Sequence, residues 1–256
     1  MSIISEYTFD HLRTIVYEDR NSMGKAAANY VEEVINKLLV EQDEIRMVFA
    51  AAPSQNEFLA ELINKNIDWK NVIAFHMDEY VGLKAGADEL FGTFLRKNIF
   101  DKVNFKKVHF INPIYYDLDA ECARYSRLLS ERSIDIVCMG IGENGHLAFN
   151  DPPVADFNDP KSVKVVELDK ACRAQQVNDG CFKKIEDVPT HAITLTIPTL
   201  ISAKFLSVVV PGKSKATAVK NTLMGKITTD CPSTILRMRD NAVLFLDKDS
   251  AAKFSK

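Results

Sequence analysis

Asn144, His146 and Asp151 arrive close together at the end of Ile134-Asp135-Ile136-Val137-Cys138-Met139-Gly140-Ile141-Gly142-Glu143-Asn144-Gly145-His146-Leu147-Ala148-Phe149-Asn150-Asp151. An imidazole beside a carboxylate can shuttle a proton, because the carboxylate fixes the tautomer. A lone histidine is more often structural, so its company carries the reading. Gly140, Gly142 and Gly145 fall within six residues after an apolar run. Glycines there let backbone N–H groups approach a ligand and tolerate positive φ. A second carboxylate, Asp78, follows another apolar run in Ala74-Phe75-His76-Met77-Asp78-Glu79-Tyr80. A partly desolvated carboxylate at a strand end suits abstraction of a proton next to a carbonyl or imine. Adjacent carboxylates also serve as loop solvation or as a helix cap, and His76 reads as a packing or hydrogen-bonding residue.

Two further segments could hold an anion. Ser54 and Glu57 in Ala51-Ala52-Pro53-Ser54-Gln55-Asn56-Glu57 fit the S-x-x-E capping box, a structural role. The same helix N-terminus, with the Ser54 hydroxyl, could instead bind phosphate. Lys213 and Lys215 in Val210-Pro211-Gly212-Lys213-Ser214-Lys215 open another helix, where cations oppose the macrodipole unless an anion sits nearby.

The elements that must position these groups alternate along the chain. Apolar β-branched runs predict strands at Leu12–Tyr17, Arg46–Ala51, Val72–Phe75, from Ile134, and at Val163–Val166, His191–Leu195, Leu206–Val210 and Ala242–Leu246. Helical spacing predicts helices over Asn21–Leu39, Gln55–Ile63, Leu90–Leu95, Ala120–Leu129, Ser214–Met224 and Ser233–Arg237. Such alternation predicts an α/β fold, a doubly wound, mostly parallel sheet with helices on both faces in a Rossmann-like three-layer sandwich. Ligands in such sheets bind beyond the carboxyl ends of the strands, where all four segments fall. No repeat, low-complexity stretch or Pro/Gly/Ser linker interrupts residues 1–256, so a single domain is expected.

Composition sets bounds. At 256 residues and 46% hydrophobic, the chain can bury a substantial core. A net charge of −3 and a pI near 6.0 offer no basic field for nucleic acid or an anionic membrane, and Lys106-Lys107 reads as a solvated loop face. Cys122, Cys138, Cys172, Cys181 and Cys231 form no CxxC pair or zinc spacing and read as reduced thiols. The opening Met1-Ser2-Ile3-Ile4-Ser5-Glu6 does not read as a signal peptide, and no apolar run is long enough for a membrane span. A cytoplasmic location is the expectation.

The motifs resemble those of the glucosamine-6-phosphate deaminase/isomerase family, whose fold is shared with 6-phosphogluconolactonases. Phe75-His76-Met77-Asp78-Glu79-Tyr80-Val81-Gly82-Leu83 is similar to the family's MDEYVGL segment. Gly140 to Asn150 is similar to its G-x-G-x-[DN]-G-H-x-x-F-N segment. Ala52-Pro53-Ser54 and Gly212-Lys213-Ser214-Lys215-Ala216 resemble its phosphate loop and phosphate-binding lysine segment. The resemblance implies conversion of an amino-sugar 6-phosphate to fructose 6-phosphate and ammonia, without metal or organic cofactor. It implies that His146, supported by Asn144 and Asp151, opens the sugar ring. Asp78 then carries a proton from C2 to C1. The phosphate would meet Ser54, Gly140, Gly142 and Lys215. The chain departs from the family pattern in three places: Asn144 stands for the more usual aspartate, Asp151 for glutamate, and Asn178-Asp179-Gly180 lie where a phosphate arginine is common. Arg173, with Lys213 and Arg237 as alternatives, is the expected replacement. The expected partner is a small phosphorylated amino sugar, and a homo-oligomer is compatible with the sequence. A lactonase and a non-catalytic sugar-phosphate sensor are the competing readings. The MDEYVGL-like segment argues against the lactonase.

Overall fold

Residues 3–114 and 116–254 are described by a computed structural model. Met1 and Ser2, on which part of the signal-peptide reading rests, lie outside them. In chain order the elements begin with β1 (Ile3–Phe9), β2 (Leu12–Tyr17), α1 (Arg20–Leu38), β3 (Ile45–Phe49) and α2 (Asn56–Leu62). There follow β4 (Val72–His76), β5 (Asp78–Tyr80), α3 (Phe91–Leu95), β6 (Lys107–His109), α4 (Leu118–Ser130) and β7 (Ile136–Met139). The remainder comprises β8 (Val163–Glu167), α5 (Lys170–Asn178), β9 (His191–Leu195), α6 (Ile197–Ile201), β10 (Phe205–Val210), α7 (Ala216–Met224), β11 (Ala242–Asp247) and α8 (Lys248–Ala251).

Eight strands form one sheet in the order β1-β2-β11-β10-β7-β3-β4-β6, parallel except for the β1–β2 hairpin. Its inner strands are apolar on both sides because both sides are covered, whereas the edge strand β1 is largely exposed. Along β3, Met47 and Phe49 face α1 and α2, whereas Val48 faces the layer that holds α4 and α7. The same period of two places Cys138 on the first face and Val137 and Met139 on the second. Each fully buried side chain of this kind contributes roughly 1.5–3 kcal/mol relative to exposure. The α/β architecture read from the sequence is therefore present, with helices on both faces.

Other features differ from the sequence reading. β8 and β9 leave the main sheet for a second, antiparallel one in the order β5-β9-β8, in which β9 pairs with β5 and Asp78 opposes Thr194. Lys107 opens an edge strand rather than lying in a loop, while Lys106 pairs with Glu44. The expected helix Ser214–Met224 begins as a 3₁₀ turn at Lys213–Lys215, and Ser233–Arg237 lies within a 3₁₀ helix over Pro232–Met238. All five cysteines are free, and among the described residues no helix is long and apolar enough to cross a membrane.

Candidate active site

The chain runs outward from β3 through β4 to β6, returns through α4 to β7, and then runs the other way through β10 to β11. Strand order reverses between β3 and β7, and the loops leaving their carboxyl ends diverge there to leave a crevice. A cavity of about 630 Å³, open to solvent, occupies this place. Ser54 after β3, Asp78 after β4, Gly140, Gly142 and His146 after β7, and Lys215 after β10 all line it. One pocket thus gathers residues separated by more than half the chain.

The Asp78-Glu79 pair divides into two roles. The Glu79 carboxylate accepts from the N–H groups of Tyr80, Phe91 and Gly92 at 2.8–3.0 Å, which caps α3. Burial pushes its carboxyl up to about 7, against those hydrogen bonds. Asp78 is 7% exposed, and among the described residues no donor reaches its carboxylate. Burial first, and the neighbouring Glu79 second, hold the Asp78 carboxyl well above the usual range. His76 is the support beneath it. Its Nδ1–H donates to the Asp78 carbonyl and its Nε2 accepts from Ile111 N–H, both at 2.9 Å. Burial pushes His76 down to about 4, so it holds this backbone as a neutral ring.

His146 is oriented from one side only. Its Nδ1 lies 2.8 Å from Asn144 Oδ1 and 3.0 Å from Asp151 Oδ1, while the Asn144 amide donates to Asp151 at 2.7 Å. Both oxygens accept, so the hydrogen sits on Nδ1 and Nε2 is left with its lone pair. Burial would raise the Asp151 carboxyl. The positive charge that His146 bears when protonated, with hydrogen bonds from His146, Asn144 and the Cys172 thiol, outweighs burial and holds it below the ordinary value. Gly142 is required by close approach: a Cβ there would fall 2.1 Å from His146 Cε1. Gly145 needs its φ of +88°, and a Cβ would meet Cys231 Sγ at 2.5 Å.

Asn150 fixes the His146 loop relative to Asp78. Its amide donates to the carbonyls of Leu147 and Leu195, each at 2.8 Å. Thr194 Oγ1 accepts from Phe149 N–H at 3.1 Å, and Thr194 is the residue opposite Asp78. Between these anchors Ala148 takes φ +50°, a left-handed conformation that costs a non-glycine residue roughly 1–2 kcal/mol.

At the far end, Lys215 is 6% exposed, and among the described residues nothing pairs with its ammonium. Burial lowers its pKa, while Asp179 and then Glu143 raise it. Ser54 Oγ accepts from Gln55 at 3.2 Å and borders the same space. The capping-box reading of Ser54 needs correction. Pro53 starts a 3₁₀ turn, so α2 begins beyond Ser54, and Glu57 is held by a bidentate pair with Arg20 at 2.9 Å. Arg173 is not brought to the pocket: its guanidinium donates to the carbonyls of Ile185 and Val188 at 2.7–3.2 Å. Arg237 likewise serves the carbonyls of Leu223 and Gly225 and pairs with Asp10, and Lys213 is exposed outside the lining.

Gln175, Gln176 and Cys181, on or just after α5, line the pocket without having been singled out in the sequence, and Asp179 lines it as an acid where the family commonly has a phosphate arginine. Gln175 accepts from Glu143 N–H at 2.9 Å, and Gln176 accepts from Tyr80 O–H at 2.7 Å. A local signal for the helix was Asp169, which caps α5 by accepting from Cys172 N–H.

The family model described as glucosamine-6-phosphate isomerases/6-phosphogluconolactonase matches residues 18–245. A glucosamine-6-phosphate deaminase of Listeria monocytogenes is 34% identical over 242 residues, which cover 94% of this chain and 99% of that one. One of Bacillus cereus is 32% identical over 245 residues, covering 96% and 90%. The solved structure of a monomeric glucosamine-6-phosphate deaminase superposes with a TM-score of 0.85 at 28% identity, over 94% of this chain and 99% of that one. A 6-phosphogluconolactonase from Thermotoga maritima shares the fold, with a TM-score of 0.76 at 18% identity over 93% and 100%. The chain belongs to the glucosamine-6-phosphate isomerase/6-phosphogluconolactonase family.

Proposed function

We propose that this family member is an amino-sugar-phosphate deaminase that converts glucosamine 6-phosphate and water to fructose 6-phosphate and ammonia. The observation that carries the reading is the pairing, in one pocket, of a buried carboxylate without a hydrogen-bond donor and an imidazole whose Nε2 is left free. His146 Nε2 moves a proton between the C1 hydroxyl and the ring oxygen, which opens the sugar to its aldehyde. Asp78 takes the proton from C2, the carbonyl oxygen gains one, and an enolamine forms. The same carboxylic acid returns its proton to C1, the amine loses one, and the resulting imine at C2 is hydrolysed by water to the ketone. A carboxylate that burial makes more basic is suited to a carbon acid of this kind. Asn144 and Asp151 hold the imidazole, and Lys215 with Ser54 receives the phosphate.

The test is ammonia release from glucosamine 6-phosphate, run beside glucosamine and 6-phosphogluconolactone. Turnover of the phosphorylated amino sugar alone is expected. Lactone hydrolysis without ammonia release would assign the pocket to the lactonase branch, and equal turnover of glucosamine would remove the phosphate from the reading.

A further inference from the structure

The phosphate end of the pocket is short of cationic donors for a dianion. Pro53 has no N–H to offer, Arg173, Lys213 and Arg237 lie outside the lining, and Lys215 is the one lysine or arginine among the described lining residues. An acceptor stands there instead. Asp179 borders the cavity at the end of α5, with its Oδ2 held by Gln175 Nε2 at 3.2 Å. Gln175 is itself held by Glu143 N–H at 2.9 Å, so the carboxylate is tied to the loop that carries His146. Asp179 is near enough to act on the charge of Lys215, yet it forms no ion pair with it. Its second oxygen, Oδ1, accepts no hydrogen bond from the described residues. A lysine and a carboxylate with one free oxygen, both on the wall of one cavity, match a ligand that carries its anion near a hydrogen-bond donor.

We propose that Asp179 is a specificity-determining residue, whose carboxylate accepts a hydrogen bond from a hydroxyl on the sugar carbons next to the phosphate. This rests on the reading that the phosphate binds at Lys215. The site then recognises a polyhydroxylated chain as well as its phosphate, and the missing donors at the phosphate are offset by a charge-assisted bond to the chain. Phosphate alone gains nothing from Asp179 and is repelled by it.

The test compares two ligands by titration calorimetry, fructose 6-phosphate and inorganic phosphate, on the wild-type chain and on Asp179→Leu and Asp179→Asn. Asp179→Leu is expected to weaken fructose 6-phosphate by about 10- to 100-fold, the loss of one charge-assisted bond. Asp179→Asn keeps a neutral acceptor and should recover part of that loss. Inorganic phosphate should bind both variants as tightly as the wild type, or more tightly. If Asp179→Leu binds fructose 6-phosphate as well as the wild type does, Asp179 only repels anions and the proposal is wrong. Equal weakening of both ligands would also overturn it, since that would mean Asp179 merely props up the lysine. A wild type that binds neither ligand would refute the phosphate reading beneath it, a result that the ammonia assay reports separately.

Discussion

Gly142→Ala places the smallest perturbation on the part of the site that depends most on close approach. The new Cβ would stand 2.1–2.3 Å from His146 Cε1, Nδ1 and Nε2, whereas ordinary contact begins near 3.4 Å. The ring must therefore retreat by about 1.3 Å. Its Nδ1 is within 3.0 Å of both Asp151 and Asn144, and a shift of that size breaks or badly bends these hydrogen bonds. Misplacement of about 1 Å can cost 10²-fold in rate. We therefore expect kcat for the cyclic amino sugar to fall by roughly 10²-fold. Asp78 lies on a different strand, so exchange of the C1 proton of fructose 6-phosphate, followed by NMR in deuterated water, should fall much less. The melting temperature serves as a control for folding. Turnover of the cyclic substrate within twofold of wild type, in a folded Gly142→Ala protein, would refute the contact and the role assigned to the ring.

Three further outcomes follow from the same geometry. Asp78 has a raised folded pKa, so its contribution to stability is present below the ordinary carboxylate pKa of about 3.9 and is lost as pH rises through the folded value. Asp78→Asn should accordingly raise the melting temperature at neutral pH, with the gain shrinking towards pH 4. Asp151 has the opposite sign: its lowered pKa stabilises the fold above the unfolded value and ceases to do so as pH falls through the folded one. Asp151→Asn should therefore be destabilising at neutral pH and nearly neutral in strong acid, and parallel melting curves for the two variants would contradict both assignments. Lys215→Met should raise KM for glucosamine 6-phosphate by roughly 10- to 100-fold with a smaller change in kcat, the loss of one charge-assisted contact; an unchanged KM would move the phosphate elsewhere.

How much of this was legible in the sequence depended on whether a residue's role is set locally. The glycine loop and the buried strands carry their signal within a few neighbours, and so they placed His146, Asp78 and Lys215 in one crevice. β1 escaped because its residues are largely exposed on both sides, which erases the alternation that marks a half-buried strand. β5 is three residues long, and its partner β9 lies more than a hundred positions away, so the second sheet had no local mark. α5 turns Gln175 and Gln176 to the pocket, and polar residues facing a ligand look like a solvated loop. Arg173 shows the reverse error. Its donors are taken by carbonyls 12 and 15 residues further on, a demand set by where the chain returns and not by the arginine's own neighbours.

In the proposed mechanism Asp78 carries a proton from C2 to C1. The direct measurement is turnover of glucosamine 6-phosphate in deuterated water by the wild type and by Asp78→Asn, with ammonia and the label at C1 of fructose 6-phosphate read together. The wild type should release ammonia and place hydrogen or deuterium on one face of C1 only. Asp78→Asn, folded and still binding fructose 6-phosphate, should lose on the order of 10²–10⁴ in kcat and in C1 exchange alike. Near-normal ammonia release by Asp78→Asn, or label on both faces of C1 in the wild type, would contradict it.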